Sequence, residues 1–227
     1  MTRRPPLKSI YDALFRHFGP QYWWPGRTRF EVCVGAVLTQ NTSWTNVEKA
    51  IRRLKAEKAL TVEALHKVPE PILAEWLRPV GYFNLKARRL MAFVAMVVRR
   101  FDGSVRKMFA VETEALRRIL LDTPGVGPET ADSILLYAGG RPVFVVDAYT
   151  RRFLVRHGWL QADASYDQIA GLFVRALPAD EALYNEYHAL IVALGKHYCR
   201  SNPKCETCPL KRWLPRGGAT ESLPSPP

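Results

Sequence analysis

No stretch of this chain approaches the roughly 18 consecutive apolar residues that a bilayer-spanning helix needs. The longest candidates, around Phe93–Val98 and Val143–Val146, are far shorter. The N-terminal MTRRPPLKS carries charge, yet no apolar segment follows it as a secretory signal would require; a cytosolic or nucleoid protein is the expectation. Cysteine is scarce, four in 227 residues, and in a reducing compartment those four are not expected to form disulfides. There is no G-x-G-x-x-G, hence no dinucleotide fingerprint, and no internal repeat. Acidic residues are the last deficit: 21 Asp and Glu against 33 Lys and Arg, a formal net charge of +12. A solvated surface does not need that excess, so a polyanionic partner is the natural inference.

What is present is a helical chain, 48% hydrophobic and able to bury a real core. Phe30–Thr42 is apolar nearly all round, which predicts a central buried helix. Thr45 is a candidate N-cap for a helix through Ala56, and Thr61 for the next. Helices are further expected over Pro71–Leu77, Asn84–Phe101, Val111–Leu121, Tyr166–Leu177 and Asp180–Tyr198. The strand-like signal is confined to Val143–Val146, and the closing GGATESLPSPP reads as a polar tail. The expected architecture is all-α, with about ten helices.

The most informative stretch is TPGVGPETADSILLYAG. A helix must stop before Pro124. Gly125 and Gly127 supply a tight turn able to enter positive φ, and Pro128 suits the first position of the next helix. The product is helix, Gly125-Val126-Gly127 hairpin, helix, whose backbone N–H groups can cradle a phosphate. Beyond it, Asp147 stands between an apolar run and the start of a basic helix. An N-cap is the ordinary use of such an aspartate. The helix dipole also keeps it ionised, able to stabilise an oxocarbenium ion or to deprotonate water.

Four ordered blocks carry a family resemblance: LTQNT at Leu38–Thr42, GYFNLKA at Gly81–Ala87, TPGVGPETA at Thr123–Ala131 and VVDAYTRR at Val145–Arg152. From about Phe30 to Cys208 the chain resembles the helix-hairpin-helix DNA glycosylases, the endonuclease III family in particular. The resemblance implies two helical lobes flanking a DNA cleft, one over 30–140 and one combining 1–29 with 141–215; the polar composition of 216–227 reads as a disordered tail. It makes Asp147 the catalytic aspartate and Gly125 to Gly127 the DNA-binding hairpin. Gln40 and Tyr82 become the side chains pushed into double-stranded DNA where a damaged base is flipped out. Lys86, Arg88, Arg89, Arg151 and Arg152 are candidates for the cleft rim, and the enzyme is expected to act as a monomer.

One departure bears on the chemistry. Bifunctional members of the family carry a lysine two residues after the last hairpin glycine, whose amine forms a Schiff base with the sugar. Here that position is Glu129, which cannot form an imine, so the lyase route through it is closed. Glu129 is left as a second acid/base or as a charge beside the DNA. The 3-methyladenine glycosylases that resemble endonuclease III also lack the lysine. This chain shares their WWP element at Trp23–Pro25 and an aromatic after TQNT, Trp44. Trp23 and Trp44 are candidates to stack on a cationic alkylated purine, although core packing would use the same residues.

Cys199, Cys205 and Cys208 fall within ten residues at metal-like spacing, while Cys33 lies mid-helix in an apolar run and reads as a buried structural thiol. The family's loop is C-x6-C-x2-C-x5-C around a [4Fe–4S] cluster. Here the first spacing is five, and Leu214 stands where the fourth cysteine belongs. A cluster with a foreign fourth ligand, a metal-free loop, and zinc with His197 as fourth ligand are the three readings, in that order.

Overall fold

The computed structural model describes residues 4–220. Among them it contains twelve α-helices and no strand. In chain order they are α1 (Leu7–Phe18), α2 (Arg29–Leu38), α3 (Trp44–Ala56), α4 (Val62–His66), α5 (Glu70–Trp76) and α6 (Phe83–Phe101). There follow α7 (Val105–Met108), α8 (Thr113–Leu121), α9 (Pro128–Ser133), α10 (Ala148–Arg156), α11 (Tyr166–Ala176) and α12 (Glu181–His197). Val143–Val146 forms no strand and no helix: Phe144, Val145 and Val146 bury their side chains, and Phe144 stacks on Phe173 at 3.7 Å. The strand-like composition there serves burial, not pairing. No described helix is long and apolar enough to cross a membrane.

The chain divides into two units: Trp24–Arg141, and the flanking segments up to Trp23 and from Pro142 onward. Within Trp24–Arg141, α2 is the buried centre, with every residue from Phe30 to Leu38 out of solvent. Thr28 caps it, and buried Glu31 is paired with Lys55 at 2.7 Å. The helix expected through Thr42 stops at Leu38. Thr39 turns its hydroxyl back onto the Gly35 carbonyl, and Asn41 adopts a left-handed φ of 51°, so TQNT becomes a loop. Ser43, not Thr45, stands at the N-cap of α3. Thr61 caps α4 as expected.

In the other unit α12 is the central element and packs on α1 and α10. Gly195 permits this approach, since a Cβ there would collide with the ring of Tyr149 on α10. The buried Tyr187 hydroxyl donates to the Leu7 carbonyl at 2.8 Å. Thr220, inside the segment expected to be a tail, is held by two bonds to the Val155 and Arg156 carbonyls. Residues 221–227 of that segment lie outside the described residues.

Candidate active site

The hairpin forms as its sequence dictates, with one difference. Gly125 takes a φ of 85°, whereas Gly127, N-cap of α9, has φ −90° and ψ 178°, an extended conformation open to any residue. Only the first glycine is used for its left-handed freedom. Thr123 closes the turn, accepting the Val126 amide at 3.0 Å, while its hydroxyl donates to the Ile119 carbonyl. A part-buried pair, Arg117 with Asp132 at 2.7 Å, ties α8 to α9 on either side of the turn.

Gln40 is built into this hairpin. Its side-chain amide donates to the Gly125 carbonyl at 3.0 Å and to the Thr130 hydroxyl at 2.9 Å. Its oxygen accepts from Arg89, whose side chain lies across Gly125. Tyr82 is the opposite case. It stands 74% exposed with a left-handed φ of 46°, just before α6, next to Gly81 at φ 65°. A bulky residue held in that region is strained.

Of the five basic rim candidates one is buried, Lys86, while Arg151 and Arg152 stay partly exposed with backbone carbonyls as partners. Arg151 donates to the Ala164 carbonyl at 2.5 Å and Arg152 to the Cys199 carbonyl at 2.7 Å. Lys86 is 2% exposed, and its ammonium donates to the carbonyls of Leu38 and Val80 at 3.0 and 2.8 Å. These carbonyls end helical segments and have no intrahelical donor, which is why a cation is drawn inside. Arg88 is exposed.

Burial, reinforced by the charge of Arg89, pulls the Lys86 amine from 10.5 down to about 8. The unfolded chain therefore holds more protons between those two values, and folding stability climbs with pH through that window. Lys86→Met lacks this gain. Relative to the natural protein, this variant should lose ground as pH rises from about 8 to 10.5, in paired urea denaturation curves.

Trp44 faces Trp24 edge-on at 5.0 Å, and Trp24 lies 4.8 Å from Tyr137, tilted by 33°. All three rings are only partly buried. Gly35 makes the room: a Cβ there would stand 3.3 Å from Trp24. Tyr137 is carried on a wide turn, Ile134–Ala138, closed by a bond from the Gly139 amide to the carbonyl five residues back, at Ile134. Trp23 belongs to the other unit, where Lys196 lies 5.9 Å over its ring. Trp24, Tyr137 and Gly35 were not singled out from sequence. Trp24 was visible in WWP, but nothing local marks the other two.

Asp147 is the N-cap of α10. One carboxylate oxygen accepts the Thr150 amide at 2.7 Å and the Thr150 hydroxyl at 2.8 Å. The other stands 3.6 Å from Nε2 of His188 on α12. Burial pushes the carboxyl up, but the His188 charge and hydrogen bonds from His188 and Thr150 outweigh it, and the net shift is below the ordinary aspartate value. His188 lies 41 residues away in a buried apolar helix, with no sequence signal of its own. Glu129 is exposed in the first turn of α9, in the unit that does not contain Asp147.

Cys199, Cys205 and Cys208 line one concavity of about 310 Å³, solvent-facing space included, together with Arg156 and Leu214. Two donors point at sulfur: Arg156 to Cys199 at 3.5 Å and the Leu210 amide to Cys208 at 3.4 Å. Burial and the neighbouring thiols raise Cys208 to about 11 and push Cys205 up too. No described group of three His, Cys, Asp or Glu stands in metal-holding geometry. His197 does not line the concavity, and its ring lies 5.9 Å from Phe18. The zinc reading thus loses its proposed fourth ligand. Cys33 is fully buried, as expected.

Comparison with known proteins agrees with this geometry. Residues 34–179 match the model of the HhH-GPD superfamily base excision DNA repair proteins. A Methanocaldococcus jannaschii protein, provisionally named a DNA repair glycosylase, is 48% identical over 91% of this chain and 94% of its own. Endonuclease III of Thermotoga maritima is 30% identical over 80% of each chain. Among solved structures, an endonuclease III in non-covalent complex with DNA superposes with a TM-score of 0.81 at 25% identity, covering 96% of this chain and 97% of that one. A 3-methyladenine DNA glycosylase of Helicobacter pylori bound to 1,N6-ethenoadenine gives 0.67 at 30% identity, covering 84% and 94%. By sequence and by fold, the chain belongs to the HhH-GPD superfamily of base excision DNA repair proteins.

Proposed function

We propose that the chain is a monofunctional DNA glycosylase that hydrolyses the bond between sugar and base at alkylated purines such as 3-methyladenine. The observation that carries this reading is Asp147, a carboxylate kept ionised by a helix N-terminus and His188, in a chain with Glu129 where an amine would have to stand. As the glycosidic bond breaks, its electron pair leaves with the base and positive charge develops on the sugar. Asp147 stabilises that charge, water adds to the sugar carbon, and the carboxylate accepts the water's proton. A methylated purine is cationic before cleavage and departs neutral, so no acid is needed to protonate it. The half-buried cluster of Trp24, Trp44 and Tyr137 suits such a base, because aromatic faces attract a cation by about 1–2 kcal/mol more than a neutral ring. The likeness to the Helicobacter pylori 3-methyladenine glycosylase supports the same lesion class.

The Gly125–Gly127 turn receives the phosphate backbone; exposed Tyr82 probes the duplex beside the flipped base, and Gln40 joins it by exchanging its bonds to Gly125 and Thr130 for contacts with DNA. The deciding experiment is base release from a panel of damaged duplexes, with and without hot alkali, and with borohydride in parallel. Alkylated purines should yield abasic sites that break only in alkali, with no trapped protein–DNA adduct. A trapped adduct would show that some amine attacks the sugar. Faster excision of thymine glycol would move the assignment to oxidised pyrimidines.

We further propose that Cys199, Cys205 and Cys208 become three ligands of a [4Fe–4S] cluster when the loop closes on one, because the three thiols line one concavity and N–H donors aim at two of the sulfurs; Leu214 cannot be the fourth. Bound there, the cluster would cross-link the loop, and no step of base removal runs through it. Freshly purified protein should be brown, with iron and sulfide by analysis, and Cys205→Ser should bleach it. Colourless, iron-free and equally stable protein would favour the metal-free loop.

A further inference from the structure

We infer that Lys86 is a positioning residue that holds the Gln40 and Tyr82 loops in register, so that both side chains meet the duplex at one place. The inference rests on the reading of those two residues as probes of the DNA.

Leu38 is the last residue of α2 and Val80 the last of a short 3-10 turn, Arg78–Val80. The Lys86 ammonium bonds to both carbonyls at once, at 3.0 and 2.8 Å. Gln40 and Tyr82 each stand two residues beyond one of these carbonyls. Lys86 therefore grips the base of both loops, which are otherwise 42 residues apart in the chain. Its own amide also donates to the Tyr82 carbonyl at 3.0 Å. One turn further along the same face of α6, Arg89 reaches the Gln40 side chain.

The Tyr82 loop contains a residue that does not hold its shape unaided. Asn41 at φ 51° occupies a conformation asparagine tolerates, whereas Tyr82 has φ 46°, a region that strains a bulky side chain. Such conformations persist only where the surroundings over-determine them. A lysine supplies three donors on one stem, enough to bind two separate carbonyls; an apolar side chain of the same length would bind neither. A buried ammonium is a poor device for stability alone, since a well-packed apolar group in its place is often as stable or more so. What the ammonium provides is a fixed relation between two loop ends.

The test compares the natural protein with Lys86→Met and Lys86→Gln, all confirmed folded by thermal melts. Affinity is measured near pH 7 for a duplex holding a tetrahydrofuran abasic-site analogue and for the undamaged duplex. Lys86→Met should reduce the preference for the abasic duplex on the order of tenfold, while binding to undamaged DNA and its salt dependence stay unchanged. Lys86→Gln keeps a donor for one carbonyl and should lose less. In a Gln40→Ala, Tyr82→Ala background, Lys86→Met should remove nothing further. Should Lys86→Met not fold, Lys86→Gln carries the same comparison. Equal weakening on both duplexes, or losses additive with the double variant, would overturn the inference. So would a natural preference that Lys86→Met retains in full. A natural protein with no preference for the abasic duplex would overturn the probe reading itself, and this inference with it.

Discussion

Asp147→Asn should lower base release on the order of a thousandfold, the scale on which a preorganised group aimed at transition-state charge contributes. The asparagine can still accept the Thr150 amide and hydroxyl, and asparagine caps helices as well as aspartate does. Folding and affinity for an abasic duplex should therefore change little; the main structural loss is the attraction to His188 at 3.6 Å. An amide can neither balance an oxocarbenium charge nor accept a proton. Because the Asp147 pKa lies below the ordinary value, the carboxylate stays charged through mildly acidic pH. Its contribution to stability is complete above the unfolded-chain pKa and is lost only as pH falls through the lower folded one. Single-turnover base release against pH should thus show no acid limb from this group near pH ~4–5, where an unperturbed carboxyl begins to protonate. Natural-like turnover in Asp147→Asn would reduce the residue to a helix cap.

The second large effect is expected at Gly125. Gly125→Ala should weaken duplex binding on the order of a hundredfold and lower thermal stability. A left-handed φ of 85° costs an alanine about 1–2 kcal/mol, and the new Cβ would also collide with the Arg89 side chain. Moving Arg89 unfastens Gln40, which in turn holds the Gly125 carbonyl at 3.0 Å. The turn then relaxes and its amides no longer point together; strain plus displacement of roughly 3 kcal/mol corresponds to the stated loss. Gly127→Ala is the control for stability: its φ is −90°, and nothing stands within 4 Å of the added Cβ. Electrophoretic mobility shifts at fixed salt and thermal melts on both variants decide the matter. A Gly125→Ala protein that binds like the natural one would mean the turn is not the phosphate contact.

The hairpin shows how far local reading reaches. Pro124, Pro128 and two glycines announce a helix stop, a turn and a helix start, because proline and glycine act on their own backbone. The motif could not say which glycine needs positive φ; Arg89, 36 residues upstream, settles that by lying across Gly125. Asp147 was legible for the same reason as the prolines. A cap is a local contact, and the amide it accepts is three residues away. Its partner His188 was not, since a histidine inside an apolar helix looks like core until α12 is packed on α10. The basic residues misled most. Charge placed Lys86, Arg151 and Arg152 at a surface; Arg151 and Arg152 stay partly exposed while bonded to backbone carbonyls, but the carbonyls of Leu38 and Val80 draw Lys86 inside.

The sequence by itself determined the all-helical class, the helix limits to within a few residues, the hairpin, the capping aspartate and the presence of Glu129 two residues past the last hairpin glycine. Each is set by a residue's own backbone preference, by helical periodicity, or by the plain identity of a side chain. Only the tertiary structure decided that Trp24 is the ring against Trp44, that Gln40 is laced into the hairpin and that Lys86 joins two loops. Those relations depend on which helix faces meet once the core is packed. No short-range preference encodes contacts between residues 20, 48 or 85 positions apart in the chain.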